Sequence, residues 1–230
     1  MQTFYATFED KFDYNPRFTK LSFELKNPFR IDFLSGQYLK FKINDQLEQE
    51  YFFFSSPDID HGFEILIDNS IVGPSTDYFS KLLFGDIVEI SAPYGEFTLS
   101  EGEKELILIG TDVGVAPLYS MVLELLQAQQ SQRKISLYWG LDNLEDFFLH
   151  DEMSLLTKNF PNFNFHPVIG KALPEWTLCR GTVYDCLSVH EMNAGALFYI
   201  CANREMNDKI KNLCLTNQVS PENIKITNYS

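Results

Sequence analysis

At Ser100 the hydrophobic pattern of this chain changes period, and the change divides the sequence into two kinds of structure. Before it, apolar and polar residues alternate. TKLSFELKN puts Leu21, Phe23 and Leu25 on one face. QYLKFKIN carries Tyr38, Phe41 and Ile43 with Lys40 and Lys42 between them, and GFEILID and GDIVEISAPYG follow the same style. Asn27-Pro28, Ser35-Gly36, Asn44-Asp45, Ser56-Pro57-Asp58, His61-Gly62 and Gly73-Pro74 punctuate these runs as turns. Short strands at regular spacing predict an antiparallel barrel or sandwich over residues 1–100. One short helix interrupts it at STDYFSKLLFG. Ser75 or Thr76 caps it, Tyr78, Phe79, Leu82 and Leu83 form its apolar face, and Gly85 ends it.

After Ser100 the strands are continuously apolar, as in sheets buried on both faces. EGEKE reads as a charged linker. ELILIGT, KISLYWG, FNFHPVI, ALFYICA and IKITNYS read as strands. Between them lie helical stretches: APLYSMVLELLQAQQ, EDFFLHDEMSLLTKN, GTVYDCLSV and NREMNDKIKNLCLTNQ. In the first of these, Leu118, Met121, Val122, Leu125 and Leu126 fall on one helical face. Alternation of strand and helix predicts right-handed crossovers and a parallel sheet over residues 101–230.

Composition narrows the function. No stretch approaches the roughly 18 apolar residues of a membrane span. The first residues, MQTFYATFEDKF, carry acids where an export signal is basic, so the expectation is a cytoplasmic chain. Asp and Glu number 32 against 18 Lys and Arg, a formal charge of −14. That argues against nucleic acid and anionic membranes as partners, and leaves any anionic cofactor to backbone N–H groups. Cys179, Cys186, Cys201 and Cys214 form no CxxC pair, and His61, His150, His166 and His190 show no metal spacing. The expectation is therefore no metal, no disulfide and four reduced, mostly buried thiols. No Ser lies in a GxSxG elbow.

Open parallel sheets bind ligands at the carboxyl ends of their strands, so three loops matter. GTDVGVAP, Gly110 to Pro117, joins a strand to a helix, where small residues let a phosphate approach free N–H groups. Asp112 opposes that use by repelling a phosphate. GLDN, Gly140 to Asn143, carries Asp142 with Glu145 and Asp146 behind it, which favours NADH over NADPH if a nicotinamide cofactor binds. CANREM, Cys201 to Met206, puts a small residue at a strand end, with room for a flat ring. In the first half, EYFFFSSPD sets four aromatics in a row, and strand geometry forces them to opposite sides.

The order of these segments resembles the ferredoxin–NADP reductase-like superfamily, most closely its NAD(P)H:flavin oxidoreductase branch. SGQYLKFKI, EYFFFSSPD, SAPYGEFTL, LILIGTDVGVAPLYSMV, SLYWGLDNLEDFF, CRGTVYDCL and LFYICANREM carry the likeness, in order. It implies an antiparallel β-barrel flavin-type domain followed by an α/β parallel-sheet nucleotide-binding domain. It also implies FAD or FMN, with hydride passing to it from NADH or NADPH. Aligned from Gly36, Gln49 stands where the flavin motif has Arg and Phe52 where it has its first Ser, while Tyr51 and Ser55 match. Asp112 and Val113 replace a Gly and a Thr of the nucleotide loop, and Ala202 replaces a later Gly.

The resemblance implies that Tyr51, Phe53, Ser55 and Ser56 line the flavin, alongside motif positions Gln49 and Phe52, with Gly73, Ser75 and Thr76 near its phosphate. It implies a nicotinamide nucleotide among Gly110, Thr111, Asp112, Gly114, Pro117, Cys201, Ala202, Asn203, Glu205 and Met206. Ser55 and Cys201 are the candidate catalytic residues beside the rings. The departures predict a flavin that is loosely bound or a substrate. Two other functions fit the same residues: a reductase component serving a separate protein electron acceptor, and a non-catalytic descendant acting as a binding or regulatory module.

Overall fold

A computed structural model describes residues 2–229. The chain divides into two compact units. One runs through Leu99 and takes in Tyr119–Gln129; the other holds Ser100–Leu118 and continues from Gln130.

The first unit is a six-stranded antiparallel sheet. Its strands are β1 (Gln2–Asp13), β2 (Phe18–Asn27), β3 (Tyr38–Asn44), β4 (Leu47–Phe52), β5 (Gly62–Asp68) and β6 (Ile87–Tyr94), in the order β4-β3-β6-β1-β2-β5. Helix α1 (Pro74–Ser80) lies between β5 and β6. The alternation that predicts these strands also fills their core. Leu21, Phe23 and Leu25 of β2 turn inward with Phe41, Phe63, Ile65 and Val88. Phe23 stacks on Phe63 at 5.0 Å, and Phe33 on Phe53 at 3.8 Å.

Two details differ from the sequence expectation. In QYLKFKIN the inward set is Leu39, Phe41 and Ile43, because sides alternate every residue; Tyr38 shares the outer face with Lys40 and stacks on Tyr94 at 5.5 Å. Helix α1 starts at least two residues earlier and stops sooner than predicted. Gly73 is its N-cap, Lys81 its C-cap, and Leu83 is 71 % exposed rather than on the buried face.

The second unit is a six-stranded parallel sheet of β7 (Leu106–Thr111), β8 (Ile135–Asn143), β9 (Phe163–Lys171), β10 (Cys179–Arg180), β11 (Leu197–Ala202) and β12 (Ile224–Asn228). Its order is β10-β9-β8-β7-β11-β12. Its helices are α3 (His150–Asn159), α4 (Val183–Ser188) and α5 (Arg204–Thr216), together with the first residues of α2 (Val115–Leu123), which continues as a π turn to Ala128 and from Tyr119 onward belongs to the first unit. The apolar positions foreseen on α2 and its extension are all buried. Where the period of the sequence changes, Ser100 is anchored to this unit. Its N–H donates to the Tyr199 hydroxyl at 2.7 Å and its carbonyl accepts from Arg133 at 3.0 Å. An antiparallel sheet followed by a parallel sheet with helices is the fold class that the two patterns predict. Gly140–Asn143, read as a loop, is instead the end of β8, and α3 begins only at His150.

The cysteine expectation needs correction. Cys201 and Cys214 are free and buried, but Cys179 and Cys186 are joined by a disulfide with Cα atoms 5.8 Å apart. Strand β10 and helix α4 are linked by a tight turn, and that turn, invisible in residue spacing, brings the two sulfurs together. Among the described residues no helix is long and apolar enough to cross a membrane.

Phe53 is fully enclosed, against Phe33 and Phe63. Phe53→Ala is expected to cost about 3–5 kcal/mol of stability, read as a lower midpoint in urea unfolding, whether or not a ligand is present.

Candidate functional site

In the parallel sheet the chain winds outward from β7 through β8 to β10, then returns to the other side of β7 with β11. The strand order reverses between β7 and β11, and such a switch point opens a crevice at the strands' carboxyl ends. Gly110 of β7 is paired with Cys201 of β11, so the two loops chosen from sequence start side by side.

The loop after β7 is short because it coils at once. Asp112–Gly114 forms a single 3-10 turn that runs into α2. Gly114 is buried, and a Cβ there would lie 2.1 Å from the Cys201 carbonyl oxygen. A Cβ on Gly110 would meet Leu118 at 2.9 Å. These glycines let backbone approach backbone. Asp112 adopts φ +48°, the left-handed region that Asp tolerates better than most residues. Its carbonyl accepts the Trp139 indole N–H at 3.0 Å. Pro117 and Ala202 are buried beneath the loops.

The loop after β11 is shorter still. Asn203 caps α5, its side chain accepting the Met206 N–H at 2.9 Å, so Glu205 and Met206 belong to the helix's first turn. Two helical starts therefore converge here, each leaving N–H groups outside its own ladder and a partial positive charge. Glu205 is paired with Lys209 at 2.8 Å, which tempers its charge. Cys201 is wholly buried, and that burial pushes its thiol well above the ordinary range. It is a protonated, apolar neighbour of the loops rather than a thiolate.

Three further residues are not among the candidates taken from the sequence, although Arg204 lies within the CANREM loop. Tyr229, just past β12, lays its ring on Gly114, and its hydroxyl lies 3.1 Å from both the Thr111 hydroxyl and the Asp112 carboxylate. Burial, the largest cause, pushes its phenol upward, with Asp112 adding to the effect. Asn207 is buried, and its amide donates to the carbonyls of Ala202 at 2.9 Å and Thr227 at 2.8 Å, tying the end of β11 to β12. Arg204 opens α5 as an exposed guanidinium at a position where the helix dipole disfavours a cation. Only the pairing of β12 with β11 brings Tyr229 here, and no local motif announces it.

In the first unit, strand parity sends Tyr51 and Phe53 to the core side and Phe52 to the face of Tyr38. Gln49 lies across from Phe41. Phe54 leaves the strand and packs on Tyr119 at 4.7 Å. Ser55 is buried. Its hydroxyl accepts the Glu64 N–H at 3.1 Å and its carbonyl accepts from Ser120 at 2.7 Å, while the Ser56 hydroxyl donates to Asp58. The more open group is Tyr51 with Gly73, Ser75 and Thr76. Burial pushes the Tyr51 phenol up to about 12, partly opposed by the neighbouring Ser75 side chain. Gly73 faces open space, and Thr76 accepts its N–H at 2.9 Å. The start of α1 thus brings hydroxyls and N–H groups together, the Thr76 hydroxyl already turned onto the Ile71 and Gly73 carbonyls at 2.9 Å, without the arginine of the flavin motif.

Comparison with known proteins places these two units. Residues 6–99 match the oxidoreductase FAD-binding domain family, and residues 108–212 the oxidoreductase NAD-binding domain family. The F component of the Na(+)-translocating NADH-quinone reductase of Klebsiella pneumoniae is 32 % identical over 164 residues, covering 68 % of this chain and 40 % of that component. Its Neisseria gonorrhoeae counterpart is 29 % identical, covering 71 % and 42 %. The chain thus spans less than half the length of these relatives. Among solved structures, the Amycolatopsis cytochrome P450 reductase GcoB shares the fold at TM-score 0.89 and 22 % identity, covering 99 % of this chain and 70 % of that one. The cytochrome b5 reductase domain of Ulva prolifera nitrate reductase does so at 0.82 and 17 %, covering 98 % and 97 %.

Two outcomes follow from this geometry. Gly114→Ala forces a backbone shift and is expected to cost about 1–3 kcal/mol in denaturant unfolding. Burial raises Cys201, Cys214, Tyr51 and Tyr229 in the folded chain. Above about pH 8.5 the unfolded thiols lose protons that the folded ones keep, and the tyrosines follow above about pH 10. The unfolded state then binds fewer protons, so stability is expected to fall from about pH 8.5 upward, more steeply above about pH 10, in melts taken across that range.

Proposed function

We propose, since this chain carries the oxidoreductase FAD-binding and NAD-binding domains, that it is an NADH-dependent flavin oxidoreductase. The observation that carries the reading is the meeting of two helical starts at the β7/β11 switch point, with glycines where backbone must approach backbone. A bound flavin supplies the acceptor for the nicotinamide hydride, and the chain's own residues bind, orient and exclude water.

In this reading the N–H groups of Asp112–Gly114 and of the first turn of α5 hold the anionic part of NADH, with Arg204 as its cation. Thr111, Cys201 and Ala202 border the nicotinamide, Cys201 as a buried, uncharged neighbour. Asn203, Glu205 and Met206 shape the first turn of α5 beside it. Tyr229 and Asp112 hold one another over the loop and must part from it or rearrange when the nucleotide enters. Asp142, exposed at the end of the neighbouring strand β8, disfavours the 2′-phosphate of NADPH. The relatives' name, NADH-quinone reductase, favours the same cofactor.

For the flavin, Tyr51, Ser75 and Thr76 offer hydroxyls and Gly73 an open backbone, while Gln49 and Phe52 lack the charge and hydroxyl of the family motif. Losing one charge-assisted contact weakens affinity by about ten- to a hundredfold. The flavin, FAD or FMN, is therefore a loosely held group or a diffusible substrate. A second reading, a reductase component passing electrons to a separate protein, is favoured by the relatives being named as one component of a larger enzyme.

Aerobic NADH consumption with added FAD or FMN tests the proposal. Flavin-dependent turnover, faster with NADH than with NADPH, is expected. Arg204→Ala is expected to raise the KM for NADH about tenfold with the fold intact. Neither turnover nor a thermal shift with any flavin or nicotinamide overturns the reading in favour of a non-catalytic binding module.

A further inference from the structure

The edge of the parallel sheet carries a second cluster of chemistry that the nucleotide reading does not use. Cys179 lies on β10, the outermost strand, which pairs with β9. The chain then turns through Gly181 at φ +87°, a left-handed conformation suited to glycine. Helix α4 begins with a reciprocal cap, in which the Thr182 N–H donates to the Asp185 carboxylate at 2.8 Å and the Thr182 hydroxyl accepts the Asp185 N–H at 3.2 Å. This rigid turn brings Cys186 of α4 back to Cys179. His190 lies just past the C-cap Val189, where its N–H donates to the Leu187 carbonyl at 3.2 Å and the chain stays close to the end of α4.

The result is a compact group. The sulfurs of Cys179 and Cys186 and a ring nitrogen of His190 all lie within 4.8 Å of one another, and His190 Nε2 is 4.0 Å from Cys179 Sγ. Zinc held tetrahedrally at about 2.3 Å from sulfur and about 2.05 Å from nitrogen needs its ligands about 3.6–3.8 Å apart. Binding therefore needs the two sulfurs to part and the imidazole to close in by a few tenths of an ångström up to about 1 Å. Cys186 is buried, Cys179 half-buried and His190 exposed, so the site is anchored on one side and open to solvent on the other.

We propose that, in the reduced chain, Cys179, Cys186 and His190 bind one zinc ion, with water as fourth ligand, and that disulfide and zinc are alternative states of this corner. Reduction by a phosphine breaks the S–S bond. Phosphorus supplies two electrons and takes oxygen from one water molecule, whose two protons complete the thiols. Zinc binding then displaces both thiol protons and takes the lone pair of the neutral imidazole. The inference is independent of the proposed function, since none of these residues belongs to the nucleotide loops.

The test uses the full chain, reduced with a water-soluble phosphine and stripped by a chelator, beside an oxidised sample. Each is titrated with Zn²⁺ against a chromogenic chelator and with Co²⁺ by absorbance. The reduced chain is expected to take one equivalent of zinc and to give thiolate-to-cobalt charge-transfer and tetrahedral visible bands; the oxidised chain gives neither. Cys186→Ser and His190→Ala are each expected to weaken zinc binding at least tenfold, with circular dichroism showing a retained fold. Equal binding by the oxidised chain, an octahedral cobalt spectrum, or affinity unchanged in both variants overturns the site. The oxidised and reduced comparison needs no variant, so a misfolded substitution does not blunt it.

Discussion

In the second unit the backbone of Gly114 lies directly against the Cys201 carbonyl. There is no room for a side chain between them. That contact lets the loop after β7 coil immediately into α2 while lying against the end of β11. It sets the start of α2 beside the start of α5, and it leaves a surface onto which Tyr229 can lay its ring. Any larger residue at that position pushes these apart and disperses the N–H groups that the proposed function gives to an anion.

The first unit divides its aromatic residues by strand parity. Phe23, Phe41, Phe53 and Phe63 go to the core, where their area stabilises the sheet, while Phe52, Tyr38 and Tyr94 stay on the other face. What remains for an anionic ligand is polar and small: hydroxyls and N–H groups at the start of α1, with Gln49 in place of a cation. In the proposed function, an acidic chain holds phosphate there through local dipoles rather than through its overall field. Under the proposed function, loose retention of flavin follows from that chemistry.

The two-domain order is legible in the sequence because the two sheet types bury different numbers of faces. Alternation in TKLSFELKN and continuity in ELILIGT reflect one-sided and two-sided burial directly. The loops at Gly110 and Cys201 are legible for the same reason, since strand ends can be counted. What escapes detection depends on tertiary pairing. Tyr229 reaches the loop only through β12. Asn207 looks like any polar residue of α5 until its amide meets two strand ends. Cys179 and Cys186, separated by 7 positions with no motif between them, become partners through a turn at Gly181. Tyr38 falls on the outer face by parity: the inward face takes every second residue, and Tyr38 and Phe41 lie on opposite sides.

The central claim, that the ends of β7 and β11 hold a nicotinamide nucleotide, is tested most directly by amide hydrogen exchange with and without NADH. The account predicts slowed exchange in two separate segments, Asp112–Ala116 and Asn203–Met206, and little change at the start of α1. Protection elsewhere on the chain, with those two segments unaltered at saturating NADH, contradicts it.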